Sequence, residues 1–280
     1  MLVVKEIKEL QELIRKKKEE GNTVGFVPTM GALHPGHLSL VNIAGQQSDF
    51  VVVSIFVNPT QFNDKNDLIN YPRTLERDLS LLDPTACQLV FAPEVATMYP
   101  EEDKRQFNFG KLEQVMEGQF RPGHFNGVAQ VVSKLFDMVK PDKAFFGLKD
   151  FQQLVIIKAL VKQLSMPIEI VPCPIMREED GLAMSSRNQR LSPEQRENAP
   201  HIYQTLKEAR NKASEMSVKE LKQWVVSTID QNPYLQTEYF EITDDEDLNA
   251  VERWEDPLNK VGCVAVHCGE IRLIDNIVFE

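Results

Sequence analysis

The sequence predicts an α/β fold in which a doubly wound, parallel-sheet (Rossmann-like) N-terminal domain at residues 1–174 precedes a smaller α+β domain at 175–280. Three observations carry this. Short apolar runs rich in β-branched residues alternate with helix-patterned segments through the N-terminal part, the pattern of a parallel sheet covered on both faces. Pro172-Cys173-Pro174 then punctuates the chain. Beyond it, helical segments come first and strand-like ones follow, so the strict alternation is lost.

Ile7, Leu10, Leu13 and Ile14 recur at helical spacing among lysines and glutamates, and Gly21-Asn22 closes that helix. Residues 23–27 read as a strand, which Pro28-Thr29-Met30-Gly31 breaks before a helix that starts near His34 and runs toward Gln47. A continuously apolar strand at 50–57 completes a βαβ unit. Further strands are expected at 88–91, 143–146 and 168–171, separated by helices near 74–82, 127–139 and 151–164. In the second part Ser192-Pro193-Glu194-Gln195 is a capping-box start, a helix covers 218–230, and strands fall at 237–242, 261–266 and 271–274. No internal repeat is present.

Composition narrows the function. With 280 residues, 42% hydrophobic and 26% charged, the chain is globular and long enough for a sizeable core. Its net charge of −11 repels a nucleic-acid backbone, yet a local basic pocket can still hold a small phosphorylated ligand. The apolar run at 50–57 is far short of the roughly 20 residues of a membrane helix. The N-terminus turns charged at once, unlike a secretion signal, so a cytoplasmic protein is expected, with no nucleic-acid or membrane partner. Cys87, Cys173, Cys263 and Cys268 lack metal-site spacing and read as reduced thiols.

Four segments carry chemistry. Met30-Gly31-Ala32-Leu33-His34-Pro35-Gly36-His37 joins a strand to a helix N-terminus, where unpaired N–H groups favour an anion and Gly36 permits close approach of a phosphate. His34 and His37, three apart, can serve one ligand as hydrogen-bond donors; no third His or Cys lies near enough for zinc. Ala183-Met184-Ser185-Ser186-Arg187-Asn188 offers two hydroxyls and a guanidinium to a polyphosphate. Paired with the first motif, it resembles the signature of the nucleotidyl-transfer superfamily that includes class I aminoacyl-tRNA synthetases, with Ala183-Met184 in place of the usual leading lysine. Gly147-Leu148-Lys149-Asp150-Phe151-Gln152-Gln153 follows a strand end, so Lys149 can meet a phosphate and Asp150 a ribose hydroxyl, although Asp150 is also placed to cap the next helix with Gln153. Asn58 and Gln61 end another strand, Asn58 with an alternative role as a turn residue before Pro59.

In order and spacing these segments closely resemble the pantoate-beta-alanine ligase family, together with Tyr71-Pro72-Arg73-Thr74, Arg121-Pro122-Gly123-His124-Phe125 and Arg272-Leu273-Ile274-Asp275-Asn276. Pro35 departs from a position often acidic in the family and alters neither histidine. The resemblance implies ATP-dependent condensation of (R)-pantoate with β-alanine through a pantoyl adenylate, releasing AMP and pyrophosphate for coenzyme A synthesis. It implies a homodimer and magnesium. His34, His37, Lys149, Ser185, Ser186 and Arg187 are the implied charge-stabilising groups, His37 being the assigned proton donor. Residues 30–37, Gly147, Leu148, Lys149, Asp150, Met176 and 184–187 are implied to bind ATP. Gln61 and Gln153 are implied to hold pantoate, and Gln61 and Asn58 to face β-alanine. Asp78 is a weaker candidate for magnesium, since a carboxylate in a helix is more often solvated. The enzyme alternative is an adenylyltransferase that moves AMP onto a phosphate ester, and the non-enzyme alternative is a nucleotide-binding module.

Overall fold

The structure, a computed structural model, describes residues 1–63 and 65–279. Six strands form one parallel sheet: β1 (Leu2–Val4), β2 (Val24–Thr29), β3 (Phe50–Ile55), β4 (Cys87–Phe91), β5 (Lys143–Gly147) and β6 (Glu169–Cys173), in spatial order β1-β4-β3-β2-β5-β6. Side chains alternate across it as the pleat requires. Phe26, Phe50 and Val52 join the core under helices Ile7–Glu19, His124–Val139 and Phe151–Gln163. Val27, Val51 and Val53 join the opposite core with Val41, Ala44 and Leu82 from helices Pro35–Gln47 and Leu75–Leu82. Burial on both faces explains why these strands read as unbroken apolar runs.

From β2 the chain winds to β3 and β4 on one side and later to β5 and β6 on the other, so the strand order reverses between β2 and β5. Ligands bind at such a switch point, outside the carboxyl ends of the strands. Pro28 helps to open it. The strand runs on to Thr29 rather than ending at Val27, but after Phe26 it pairs only with β3, because Pro28 has no N–H to offer β5. Pro172 sits in β6, an edge strand, where a missing donor is tolerated.

The second sheet is antiparallel, β7 (Leu235–Asp244), β8 (Lys260–Cys268) and β9 (Ile271–Phe279). Helices His201–Lys212 and Val218–Asp230 lay Leu206, Ala209, Leu221 and Val225 against its Phe240, Val264 and Val266. Sequence patterning overlooked β1, which is three residues long, and helix His201–Lys212. The capping box at Ser192 does form, but its helix ends at Asn198 and the chain restarts after Pro200. Met116, Phe151 and Val155 pack with Val261 and Cys263, joining the two sheet units. Among the described residues no helix is long and apolar enough to cross a membrane, and all four cysteines are buried and free.

Candidate active site

The turn after β2 is the most constrained part of the switch point. Gly31 (φ +81°) and Ala32 (φ +51°) take left-handed backbone, which reverses the chain within two residues. Asp78 holds them there: its carboxylate accepts from Ala32 N at 2.9 Å, Leu33 N at 2.8 Å and Thr74 Oγ1 at 3.2 Å. Asp78 is completely buried. It is not the solvated helix carboxylate expected: both oxygens are taken by the turn, a role that competes with the expected magnesium contact.

His34 caps helix Pro35–Gln47, its Nδ1 accepting from Gly36 N at 3.2 Å, and His37 Nδ1 accepts from His34 N at 3.4 Å. With both Nδ1 atoms accepting, the proton of each neutral ring lies on Nε2. Burial, then the charge of Lys149, lowers the pKa of His34 to about 4. Burial, then His34 and Lys149, lowers that of His37 to about 3. Both rings are therefore neutral at physiological pH, centred 4.1 Å apart, each with one N–H to give. The smallness of Gly36, which lines the cleft, also admits the capping imidazole: a Cβ there would lie 2.8 Å from the His34 ring.

A cleft of about 220 Å³ opens above this turn. Gly147, Lys149, Asp150 and Gln153 reach it from β5 and the following helix, and Met30, His34, Gly36 and His37 from the β2 turn. Lys149 Nζ lies 3.7 Å from the Asp150 carboxylate. Asp150 stands at the helix start but makes no side-chain capping bond, which corrects the capping expectation and leaves half of its carboxylate exposed. The turn is held from the second sheet: Asn276 on β9 donates from Nδ2 to Leu148 O at 2.8 Å and to Lys149 O at 3.0 Å.

The opposite wall carries Asn58 and Gln61. Asn58 is buried and its amide is saturated, donating to Gly127 O and Gln61 Oε1, both at 3.2 Å, and accepting from Tyr99 Oη at 2.8 Å and Thr60 Oγ1 at 3.1 Å. It thus fixes the turn and the Gln61 amide, whose Nε2 donates to Met30 Sδ at 3.0 Å. His124, lowered to about 4 chiefly by burial, lies 2.8 Å from Gln61 O through Nδ1, with Arg121 on its other nitrogen at 3.2 Å. An arginine only donates, so Nδ1 carries the proton.

The Ser-Ser-Arg loop closes the cleft. Met176, Met184, Ser185, Ser186 and Arg187 line it, and Ser185 caps the short 3-10 turn Ser186–Arg190 by accepting from Arg187 N at 3.3 Å. Arg187 Nη2 donates to Asp67 at 2.7 Å. A second cavity of about 630 Å³ adjoins and shares Lys149, Asp150, Ser185 and Arg187. Of the residues expected at the nucleotide, Ala32 and Leu33 are buried within the turn, while Leu33 and Pro35 border a neighbouring cavity with Met184. Gly31 forms the turn beneath the cleft, and Leu148 packs on the core. Three neighbours of the site were given no role by sequence reasoning: Asp67, Tyr99 and Asn276. Each acts through a partner tens of residues away, and only the Arg272–Asn276 resemblance pointed toward one of them.

Two neutral histidines at a helix N-terminus, at the switch point of a parallel sheet and under a Ser-Ser-Arg loop, give the cleft the features expected of an enzyme that uses a nucleotide. A sequence model described as pantoate-beta-alanine ligase matches residues 2–278. The pantothenate synthetase of Bacteroides thetaiotaomicron is 55% identical over 280 residues, all of this chain and 99% of that one, and the Aquifex aeolicus enzyme is 50% identical over 98% of each. The crystal structure of pantothenate synthetase from Thermus thermophilus superposes with a TM-score of 0.92 at 44% identity, covering 99% of both chains. The Francisella tularensis pantoate-beta-alanine ligase, complexed with β-γ ATP and β-alanine, gives a TM-score of 0.82 at 35% identity over 99% of this chain and 97% of that one. The chain belongs to the pantoate-beta-alanine ligase family, and its activity is the ATP-dependent ligation of pantoate to β-alanine.

Proposed function

We propose that the cleft performs this ligation in two half-reactions, with the roles divided by wall. The pantoate carboxylate attacks the α-phosphorus of ATP, a P–O bond forms, and the bond to pyrophosphate breaks. Negative charge then grows on the α-phosphoryl oxygens and the leaving group. His34 and His37 face that charge as neutral Nε2–H donors, while Lys149, Arg187 and the Ser185 and Ser186 hydroxyls face the phosphate tail. In the second step the β-alanine amine attacks the acyl carbon and AMP leaves. No protein nucleophile is required. Gln153 and Gln61 hold pantoate, and Gln61 meets the amine.

The observation that supports this most is the pair of histidines. Their Nδ1 atoms are occupied by backbone N–H groups and their pKa values lie far below neutrality, so each presents one oriented donor at the head of a helix. The resemblance names His37 a proton donor. With a pKa of about 3, it gives a hydrogen bond to the developing oxyanion from its neutral ring. Lowered histidine pKa values also suit a site that must host a polyanion beside Lys149 without relying on titration.

Magnesium enters with ATP. Among the described residues no cluster of three or more acidic, histidine or cysteine side chains forms a metal cage. Asp78 is sealed in the turn and Asp67 is held by arginines, so Asp150, half exposed on the cleft and 3.7 Å from Lys149, is the carboxylate that would approach a metal carried by the phosphates. Bound there, the ion would screen triphosphate charge.

Residues 1–174 are assigned as the nucleotide- and pantoate-binding domain, and 175–280 as the domain that carries the Ser-Ser-Arg loop over the site. Four free thiols fit a reducing cytoplasm. The homodimer rests on the resemblance, and light scattering tests it: a monomer at micromolar concentration contradicts it. The test of the activity is product analysis. Incubation with pantoate, β-alanine and Mg-ATP should give AMP, pyrophosphate and pantothenate in equal amounts, whereas AMP retained in a phosphate-ester product would establish the adenylyltransferase instead.

A further inference from the structure

Arg187 does not face the cleft alone. Its Nη2 donates to Asp67 Oδ2 at 2.7 Å, and Arg190, one turn further along the same 3-10 segment, donates to Asp67 Oδ1 at 3.0 Å. Asp67 belongs to helix Lys65–Asn70, 120 residues away in sequence, so the pairing closes one wall of the site on another. Neither partner is a free surface charge: the side chains of Asp67 and Arg187 are 23% and 28% exposed. Burial raises the Asp67 pKa, but the two arginines outweigh it and keep the group below its ordinary value, hence ionised. Asp67 also lines the second cavity with Lys149 and Arg187, two residues that this cavity shares with the cleft.

We propose that Asp67 is a resident competing anion, which occupies the Arg187 guanidinium between turnovers, weakens the grip on the phosphate tail and speeds release of pyrophosphate. The proposal rests on the reading of Arg187 as a phosphate-binding group. Its physical basis does not depend on how far anything moves. A phosphate that reaches Arg187 must either displace the carboxylate, losing a close ion pair, or sit beside it and meet like-charge repulsion; both outcomes reduce affinity. Once the bond to pyrophosphate breaks, the same charge favours departure of the polyanionic product over its retention. Oδ2 accepts from Arg187 and Oδ1 from Arg190, so the carboxylate can reclaim Arg187 while Arg190 still holds it.

The test is calorimetric binding of inorganic pyrophosphate with magnesium, and separately of adenosine, to the full chain and to Asp67→Asn. The isosteric amide removes the charge and should tighten pyrophosphate about tenfold, or ~1.4 kcal/mol, while adenosine, which has no phosphate, binds as before. Product inhibition by pyrophosphate should strengthen in parallel, and Asp67→Ala should show the same direction. Arg187→Ala examines the underlying reading: it should weaken pyrophosphate binding, and most of the gain from Asp67→Asn should vanish in its background. If Arg187→Ala leaves pyrophosphate binding unchanged, the reading of Arg187 fails and the proposal with it. If Arg187→Ala weakens binding but Asp67→Asn binds pyrophosphate equally or more weakly, Arg187 keeps its role and Asp67 merely positions it, which overturns the proposal. An equal gain for adenosine would also overturn it.

Discussion

Two loops line the cleft, and they are built in opposite ways. The turn from Met30 to His37 is made rigid by its own backbone: two left-handed residues, a buried carboxylate accepting two N–H groups, and two imidazoles whose Nδ1 atoms are already engaged. The Ser185–Arg190 loop is secured through side chains, chiefly the largely buried pairs from Arg187 and Arg190 to Asp67. The first arrangement can present donors at fixed positions without reorganising during the reaction. The second rests on side-chain ion pairs, which on the proposal above can exchange one anion for another. In the proposed mechanism, charge development is met by the rigid turn and ligand traffic by the adaptable loop.

Breaking the rigid turn should cost most. His37→Ala or His34→Ala should slow adenylate formation by about 10²–10³, the usual loss for one preorganised donor, measured in single turnover. Because folding keeps these rings neutral, exchange activity should show no inflection near pH 6.5, where an ordinary histidine titrates. The same groups make stability pH-dependent. His34, His37 and His124 have folded pKa values of about 4, 3 and 4, below the unfolded value, so the unfolded chain binds more protons on acidification. Their contribution is fully present above pH ~6.5 and is lost as pH falls toward those values, and denaturation midpoints between pH 7 and pH 4 should decline accordingly.

Asp78→Ala should come next. It leaves two buried N–H groups without acceptors and should destabilise the protein by about 2–4 kcal/mol, with activity falling alongside. A magnesium-ligand role would instead raise the magnesium requirement at unchanged melting temperature. Asn58→Ala is expected to damage both half-reactions, because the amide it removes orients Gln61 and the strand-end turn. Impairment confined to the β-alanine step would show that Asn58 reads the amine. Asn276→Ala removes both donors from the Lys149 turn and should cost the exchange reaction about 1–3 kcal/mol, read as a lower kcat with a raised KM for ATP. On the adaptable loop, Arg190→Ala should change stability by no more than about 1 kcal/mol, as a partly exposed pair does.

The parallel sheet was legible because strands buried on both faces leave continuous apolar runs, and the histidine turn because strand, glycine and helix start are adjacent in sequence. Asp78 illustrates the limit. Its helix was recognisable, yet nothing local says that its carboxylate caps a turn 45 residues earlier. Asp150 shows the reverse case, a sequence that satisfies the capping pattern while its carboxylate stays partly exposed beside Lys149. Helix His201–Lys212 was missed although Ile202, Leu206 and Ala209 repeat at helical spacing, because the strong cap at Ser192 drew the start of the helix too early.

The most direct test of the account is exchange of labelled pyrophosphate into ATP with pantoate present and β-alanine absent. If the rigid turn stabilises adenylation and the amine acts only afterwards, exchange should proceed with pantoate alone, stop when magnesium is chelated, and fall by about 10²–10³ in His37→Ala. Exchange that occurs only when β-alanine is added would contradict it.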